Sequence, residues 1–202
     1  MSQLALFDNQ AVGPAGLRYA PEFISAADEQ ELIAGIAALP LQPFQFGAFE
    51  GHRRVKSFGF RYDYTLQKLT PSEPIPDWLE RTARAVEHFG KLPDGSVRQV
   101  LCTEYDVGVG IGWHRDRPHF DKVFGISLGS ACRFRFRRRQ GNKEGGKWER
   151  FSLNAEPRSI YLMDGESRSS WEHSIPPVER QRYSITFRTM RGDGELEPLA
   201  AS

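Results

Sequence analysis

The residues best suited to chemistry in this chain are His114 and Asp116, in the run Gly112-Trp113-His114-Arg115-Asp116, together with the distant His173. In an extended segment, side chains two apart project to the same side, so His114 and Asp116 can clasp one ion and a remote histidine can add a third ligand. Two histidines and one carboxylate form the facial set that holds non-haem Fe(II) and leaves coordination positions open for a cosubstrate and oxygen. A His-x-Asp pair alone says little, because most such pairs are ordinary surface residues. What raises its weight is the run Arg182-Tyr183-Ser184-Ile185-Thr186-Phe187-Arg188.

Read as a strand with Tyr183, Ile185 and Phe187 toward a core, that run turns Arg182, Ser184, Thr186 and Arg188 to the opposite face. The backbones of Arg182 and Arg188 are then roughly 20 Å apart, and their side chains leaning inward leave a gap suited to a short dicarboxylate. Guanidinium groups bind carboxylates bidentately, so the spacing fits 2-oxoglutarate. Upstream, Thr103 and Tyr105 share one face of a strand, and the Tyr105 hydroxyl can donate to a carboxylate.

With these residues in view, the stretch from about Glu22 to Arg188 resembles the AlkB family of Fe(II)- and 2-oxoglutarate-dependent dioxygenases. The resemblance rests on the His-x-Asp, on Gly165-Glu166-Ser167-Arg168 shortly before His173, and on Arg-x-Ser-x-Thr-Phe-Arg at 182–188. It implies His114, Asp116 and His173 as metal ligands, with Arg182 and Tyr105 on the distal carboxylate of 2-oxoglutarate. Arg188 falls near the metal-proximal carboxylate, and Thr103 and Ser184 line the cosubstrate pocket. Thr103 stands where the family has Asn. His119 offers an alternative third ligand in a His114-x-Asp-x-x-His119 zinc grouping; the order Trp171-Glu172-His173 after the Gly-Glu-Ser-Arg motif, as in the family, favours His173. His52 and His88 have no metal-like neighbours.

The implied activity is oxidation of a substrate C–H bond by molecular oxygen, coupled to decarboxylation of 2-oxoglutarate to succinate. The leading expectation is oxidative demethylation of N-alkylated bases in DNA or RNA, with the damaged nucleotide flipped out of its strand. Repair members carry an acid two residues beyond the metal aspartate, where this chain has Pro118. Arg53-Arg54-Val55-Lys56-Ser57-Phe58-Gly59 is similar to a segment of the branch that hydroxylates a modified wobble uridine in transfer RNA, which makes transfer-RNA modification the alternative. An oxygenase for a protein or small molecule is a third reading, and a binding module with a relict site a fourth. The complete ligand and arginine set speaks against the last.

From Phe44 to Tyr64 basic residues lead into aromatics at every second position, a strand pattern. An ordinary half-buried sheet explains it, and so does a surface that grips phosphate and stacks a base. The resemblance places the nucleotide-recognition lid here, with Arg53, Arg54, Lys56, Phe58 and Arg61 as candidate nucleic-acid contacts. Farther on, Arg133, Arg135 and Arg137 alternate with Cys132, Phe134 and Phe136, and Arg138, Arg139, Lys143, Lys147 and Arg150 continue the charge. That face is either solvated or meets phosphates.

The elements that must position these groups follow from pattern. At 202 residues, 39% hydrophobic and 12% aromatic, the chain has material for one sizeable core, and a single domain is expected over 1–202 with 1–20 and 191–202 peripheral or disordered. A helix is predicted after Ser25, whose capping box uses Asp28, with Leu32, Ile33, Ile36 and Leu39 on one face up to Pro40. After a Pro-rich turn at 70–76, a second helix capped by Asp77 buries Leu79, Ala83, Val86 and Phe89 and ends at Gly90. Short strands follow near 97–105, 123–129, 131–138, 148–154, 158–163 and 182–189. The expected class is α+β, mainly β: a jelly roll, the double-stranded β-helix, with N-terminal helices against one sheet. With 27 basic and 26 acidic residues the net charge is +1, so any nucleic-acid surface must be local. Cys102 and Cys132 lie in apolar runs without metal or redox spacing, and no stretch is apolar enough to span a membrane. A cytoplasmic monomer is expected.

Overall fold

The computed structural model of the chain describes residues 13–46, 49–63, 66, 68–140 and 146–192; Tyr64, Lys143 and the terminal stretches 1–12 and 193–202 lie outside the described residues. In chain order the elements are β1 (Leu17–Ala20), α1 (Ala26–Ala37), β2 (Gln42–Phe46), β3 (Phe49–Phe58), β4 (Phe60–Asp63) and β5 (Lys68–Pro71). Then come α2 (Asp77–Gly90), β6 (Gln99–Tyr105), β7 (Ile111–His114), β8 (Phe120–Leu128), β9 (Cys132–Arg139) and β10 (Trp148–Ala155). The chain closes with β11 (Ile160–Met163), α3 (Gly165–Ser169), β12 (Glu172–Ile175) and β13 (Arg182–Met190).

Antiparallel pairing gathers these strands into a seven-stranded sheet, β1-β11-β8-β13-β6-β3-β2, a four-stranded sheet, β10-β9-β12-β7, and a ribbon, β4-β5. The two larger sheets pack face to face around Phe134, Phe136, Val123, Tyr105 and Met163, which makes the fold a jelly roll. On its other face the larger sheet is covered by the helices. Leu32 and Ile36 of α1 and Leu79, Ala83 and Val86 of α2 meet Phe124, Ile126, Ile185 and Phe187. Period-two alternation explains both layers: along β13, Ile185 and Phe187 go to the helices while Arg182, Ser184, Thr186 and Arg188 turn between the sheets.

Local signals fix the ends. The Ser25 hydroxyl accepts from the Asp28 N–H at 3.1 Å, and the Asp28 carboxylate accepts in return from the Ser25 N–H at 3.2 Å, a complete capping box. Four expectations need correction. Residues 17–20 are not peripheral: Leu17 is fully buried and β1 pairs with β11, a strand too short to show a period. Asp77 is the first helical residue behind Pro76 rather than the cap. The left-handed position after α2 falls on Lys91, at φ 55°, not on Gly90. Gly90 is small because a Cβ there would lie 2.6 Å from the Phe124 ring. The 70–76 turn begins inside β5, since Thr70 and Pro71 pair with Arg61 and Phe60.

Candidate active site

Two neighbouring strands of the smaller sheet carry the histidines. β7 and β12 pair with His173 directly opposite His114, and both rings point between the sheets, their centroids 4.3 Å apart. Asp116 lies just past the end of β7 in the loop at 115–119. That loop is held by Arg168 of α3, whose buried guanidinium donates to the carbonyls of Arg117 and Phe120. The ligand atoms of His114, Asp116 and His173 all lie within 4.8 Å of one another, and they are the one such group among the described residues. The His114 Nδ1 meets the Gly112 carbonyl at 2.9 Å, which places the proton there and leaves Nε2 for an ion.

The Asp116 carboxylate is divided between two tasks. Its Oδ1 accepts from Arg188 Nη2 at 2.7 Å and Nε at 3.2 Å, while Oδ2 lies 3.4 Å from His173 Nε2. Arg188 is itself fixed by donating to the Gln99 side-chain oxygen at 2.8 Å, and Gln99 donates to the Ser57 hydroxyl at 3.0 Å. Burial alone would raise the Asp116 carboxyl; the Arg188 guanidinium, followed by the two histidines and Arg168, reverses this and holds it well below the usual carboxylate range. Burial, with neighbouring His114 adding to it, pushes His173 down to about 3, and burial likewise lowers His114. At neutral pH the site therefore presents one anion and two neutral imidazoles, the protonation a divalent cation requires.

The cavity beside these ligands runs along the inner face of the larger sheet. Strand register places Arg182 opposite Tyr105, Ser184 opposite Thr103 and Arg188 opposite Gln99. Arg182 is 2% exposed, donates through Nη2 to the Ser127 hydroxyl at 3.0 Å, and lies 4.7 Å from the Tyr105 ring centroid. Its Nε and Nη1 are buried with no hydrogen-bond partner among the described residues. A buried guanidinium without a carboxylate is costly, and a bound carboxylate would relieve that cost. The residues thus fit both groups: N, N, O donors for Fe(II), and an unsatisfied fork with the Thr103, Ser184 and Tyr105 hydroxyls nearby for 2-oxoglutarate.

The five candidate nucleic-acid contacts separate. Arg53 lines the cavity with its guanidinium 4.0 Å from the Phe44 ring. Arg54 points to the other face of β3 and pairs with buried Glu104, and Lys56 pairs with Glu73. Phe58 is 4% exposed within the helix-side core, where it cannot stack on a base; the period that marked it as a lid residue marks a core strand. Arg61 is exposed on β4. The ribbon β4-β5 leaves the larger sheet at Gly59 (φ 76°), where a Cβ would lie 2.1 Å from the Arg98 carbonyl oxygen, so only glycine fits. Tyr62 on that ribbon lies 4.3 Å from the Arg117 guanidinium and 5.8 Å from the His119 ring, next to the metal loop. His119 is exposed and outside the ligand cluster, as are His52 and His88, and both cysteines are buried and free. Gln99 and Ser127 carry no signal in the sequence, being ordinary strand residues whose partners appear only through register, and the Gly-Glu-Ser-Arg motif gives Arg168 no role until the fold brings it to the 115–119 loop.

A jelly roll holding a two-histidine, one-carboxylate set beside a buried arginine defines a mononuclear non-haem oxygenase. The model of the 2OG-Fe(II) oxygenase superfamily matches residues 16–191. An Arabidopsis thaliana protein named alkylated DNA repair protein ALKBH8 homolog is 26% identical over 93% of this chain and 59% of its own length. Mouse tRNA (carboxymethyluridine(34)-5-O)-methyltransferase ALKBH8 is 29% identical over 81% of this chain and 24% of its own length. Mouse alpha-ketoglutarate-dependent dioxygenase alkB homolog 3 is 25% identical over 67% and 51%. The chain belongs to the AlkB family of the 2OG-Fe(II) oxygenase superfamily, with Fe(II) and 2-oxoglutarate as cofactors. It spans only part of the length of these relatives. Among solved structures, OsALKBH1 superposes with a TM-score of 0.64 at 17% identity, covering 89% of this chain and 99% of that one. A Pseudomonas putida prolyl-4-hydroxylase does so at 0.59 and 12%, covering 87% and 93%. Both likenesses concern the fold.

Proposed function

We propose that the chain is a dioxygenase that oxidatively dealkylates N-alkylated bases in DNA or RNA, a direct repair of alkylation damage. The observation that carries the reading is the shared cavity: the unsatisfied Arg182 fork and the His114, Asp116, His173 cluster open onto one space, with Arg53 of β3 on its wall. Iron with 2-oxoglutarate and oxygen supplies a C–H oxidation in which one oxygen atom enters the substrate and the other enters succinate, with release of carbon dioxide. The protein's share is positioning. Arg182 would fix one end of the cosubstrate, Arg188 occupies Oδ1 of Asp116 and leaves Oδ2 toward His173, free to serve as the metal-binding oxygen, and Phe134 packs against the His173 ring. On an N-alkyl group the hydroxylated carbon separates as an aldehyde and leaves the N–H base.

One observation favours the transfer-RNA reading. Adenine or cytosine alkylated on a ring nitrogen is a cation, and Pro118 stands where repair members carry an acid to meet it. A neutral modified uridine needs no such acid, and its hydroxylation on carbon leaves a stable product. Mass spectrometry of alkylated oligonucleotides and of transfer RNA after incubation with protein, Fe(II), 2-oxoglutarate and oxygen separates the two. Loss of the alkyl group supports repair, gain of one oxygen supports modification, and succinate formation unresponsive to every nucleic acid would sink both.

A further inference from the structure

The outer face of the four-stranded sheet plays no part in the cavity, yet its composition is not that of an ordinary solvated surface. β9 turns Cys132, Phe134 and Phe136 into the core and therefore sends Arg133, Arg135, Arg137 and Arg139 outward. β10 adds Arg150 directly across from Arg137. Among the described residues, the outward positions of the neighbouring β12 supply Arg133, Arg135, Arg137 and Arg150 with one carboxylate, Glu172, which accepts from Arg137 Nε at 2.7 Å. In a chain whose net charge is only +1, that is a segregated cationic face.

A second, independent feature is the stacking on it. The Arg137 guanidinium lies 4.4 Å from the ring of Trp113 and 4.4 Å from that of Trp148, and Arg135 lies 5.0 Å from Trp113. The result is a ladder of alternating indole and guanidinium running across the sheet. Stacking could serve the sheet alone, but that account leaves Arg133 and Arg150 extended into solvent and Trp148 38% exposed. Arginines already held between indoles lose less freedom when they meet a phosphate, and indoles offer bases a π-face.

We infer that this outer face is a second contact surface for a nucleic-acid strand, engaging nucleotides that flank the one presented to the cavity. The inference rests on the nucleic-acid reading above. Trp113 precedes metal ligand His114 on β7, the edge strand of the sheet, so a strand leaving the cavity around that edge meets the ladder at Trp113. Arg133, Arg135 and Arg150 would neutralise phosphates, and Trp148 would stack a base. Only a substrate long enough to pass around the edge reaches both sites, so binding should strengthen with strand length.

The test compares fluorescein-labelled single-stranded RNA of about 5 and about 20 nucleotides by anisotropy, using the full chain and the double variant Arg133→Glu/Arg150→Glu, both exposed positions outside the cavity. For the long strand the double variant should bind at least about tenfold more weakly and lose about 1.4 from the slope of log affinity against log salt, at about 0.7 per phosphate contact. The short strand should bind as before. Uncoupled succinate release and an unchanged circular dichroism spectrum show that the cavity and fold are intact. Trp148→Ala should weaken long-strand binding, and Trp148→Phe should restore part of it. If the long strand binds the double variant with unchanged affinity and slope, the surface inference is wrong while the proposed function stands. If the wild-type chain binds neither strand, nor single-stranded DNA of the same two lengths, both fall.

Discussion

Asp116 shows most plainly how single residues set this site, because its two oxygens have different partners: Oδ1 belongs to Arg188 and Oδ2 faces His173. Replacing Asp116 with Ala removes the one anionic ligand and strands the Arg188 guanidinium. That variant should lose Fe(II) binding in anaerobic titration and all succinate release. For Arg182, the charge-conserving Arg182→Lys gives a point charge in place of a fork whose Nε and Nη1 await a partner. Its affinity for 2-oxoglutarate should fall by at least about tenfold, the cost of one charge-assisted hydrogen bond, while Fe(II) affinity holds. Protonation gives a third expectation. Asp116, His114 and His173 all have lowered pKa values in the metal-free protein, His173 to about 3, so above their pKa values the carboxylate is charged and the imidazoles neutral. Fe(II) binding near pH 7 should therefore release close to no protons, read as equal calorimetric heats in buffers of different ionisation enthalpy. A release approaching one proton per site would show that a histidine must first deprotonate. The triad residues were legible in the sequence because their types are chemically unusual together. The Arg188–Asp116 pair was not, since nothing in a linear chain says which carboxylate an arginine 72 positions away will reach.

At the scale of elements, the site depends on two antiparallel registers. β12 against β7 sets the histidines opposite each other, and β13 against β6 sets Arg182 by Tyr105 and Arg188 by Gln99. Period-two alternation made β6, β8, β9, β10 and β13 readable, because long strands with one apolar face repeat the signal several times. The four-residue β1, β7 and β12 carry too few residues for a period to show. Phe58 was misplaced for a related reason: the alternation that continues to Phe60 and Tyr62 crosses Gly59, where the chain leaves one sheet for another. That glycine yields a prediction. Gly59→Ala forces a Cβ against the Arg98 carbonyl at a left-handed φ, so the β4-β5 ribbon must shift. Ser57 accepts from Gln99 and donates to the Phe60 carbonyl at 2.7 Å, which ties the ribbon's base to the hydrogen bonds behind Asp116. In Gly59→Ala, oxidation of nucleic acid should fall severalfold more than uncoupled succinate release, measured side by side. Equal losses would mean that the ribbon does not position substrate.

For the whole molecule, the consequence of this architecture is that the candidate residues for the two cofactors are divided between its two sheets. The candidate metal ligands come from β7, the loop after it and β12 on one side, and the residues proposed for the cosubstrate from β6 and β13 on the other. Separating the sheets breaks both sites at once, so ligands that bind only the folded chain should raise its resistance to heat. A ligand at a hundred times its dissociation constant adds about 2.7 kcal/mol, and for a chain of this size each kcal/mol raises Tm by about 2 to 4 °C. Fe(II) and 2-oxoglutarate, each at a hundred times its dissociation constant under anaerobic conditions, should therefore together raise Tm by about 10 to 20 °C in a calorimetric scan. The variants apportion the gain. Arg182→Lys should keep the part due to metal and lose most of that due to 2-oxoglutarate, and Asp116→Ala should lose the metal part. A shift that survives unchanged in both variants would mean that the ligands bind elsewhere on the protein, and the cavity would lose its claim to be the active site.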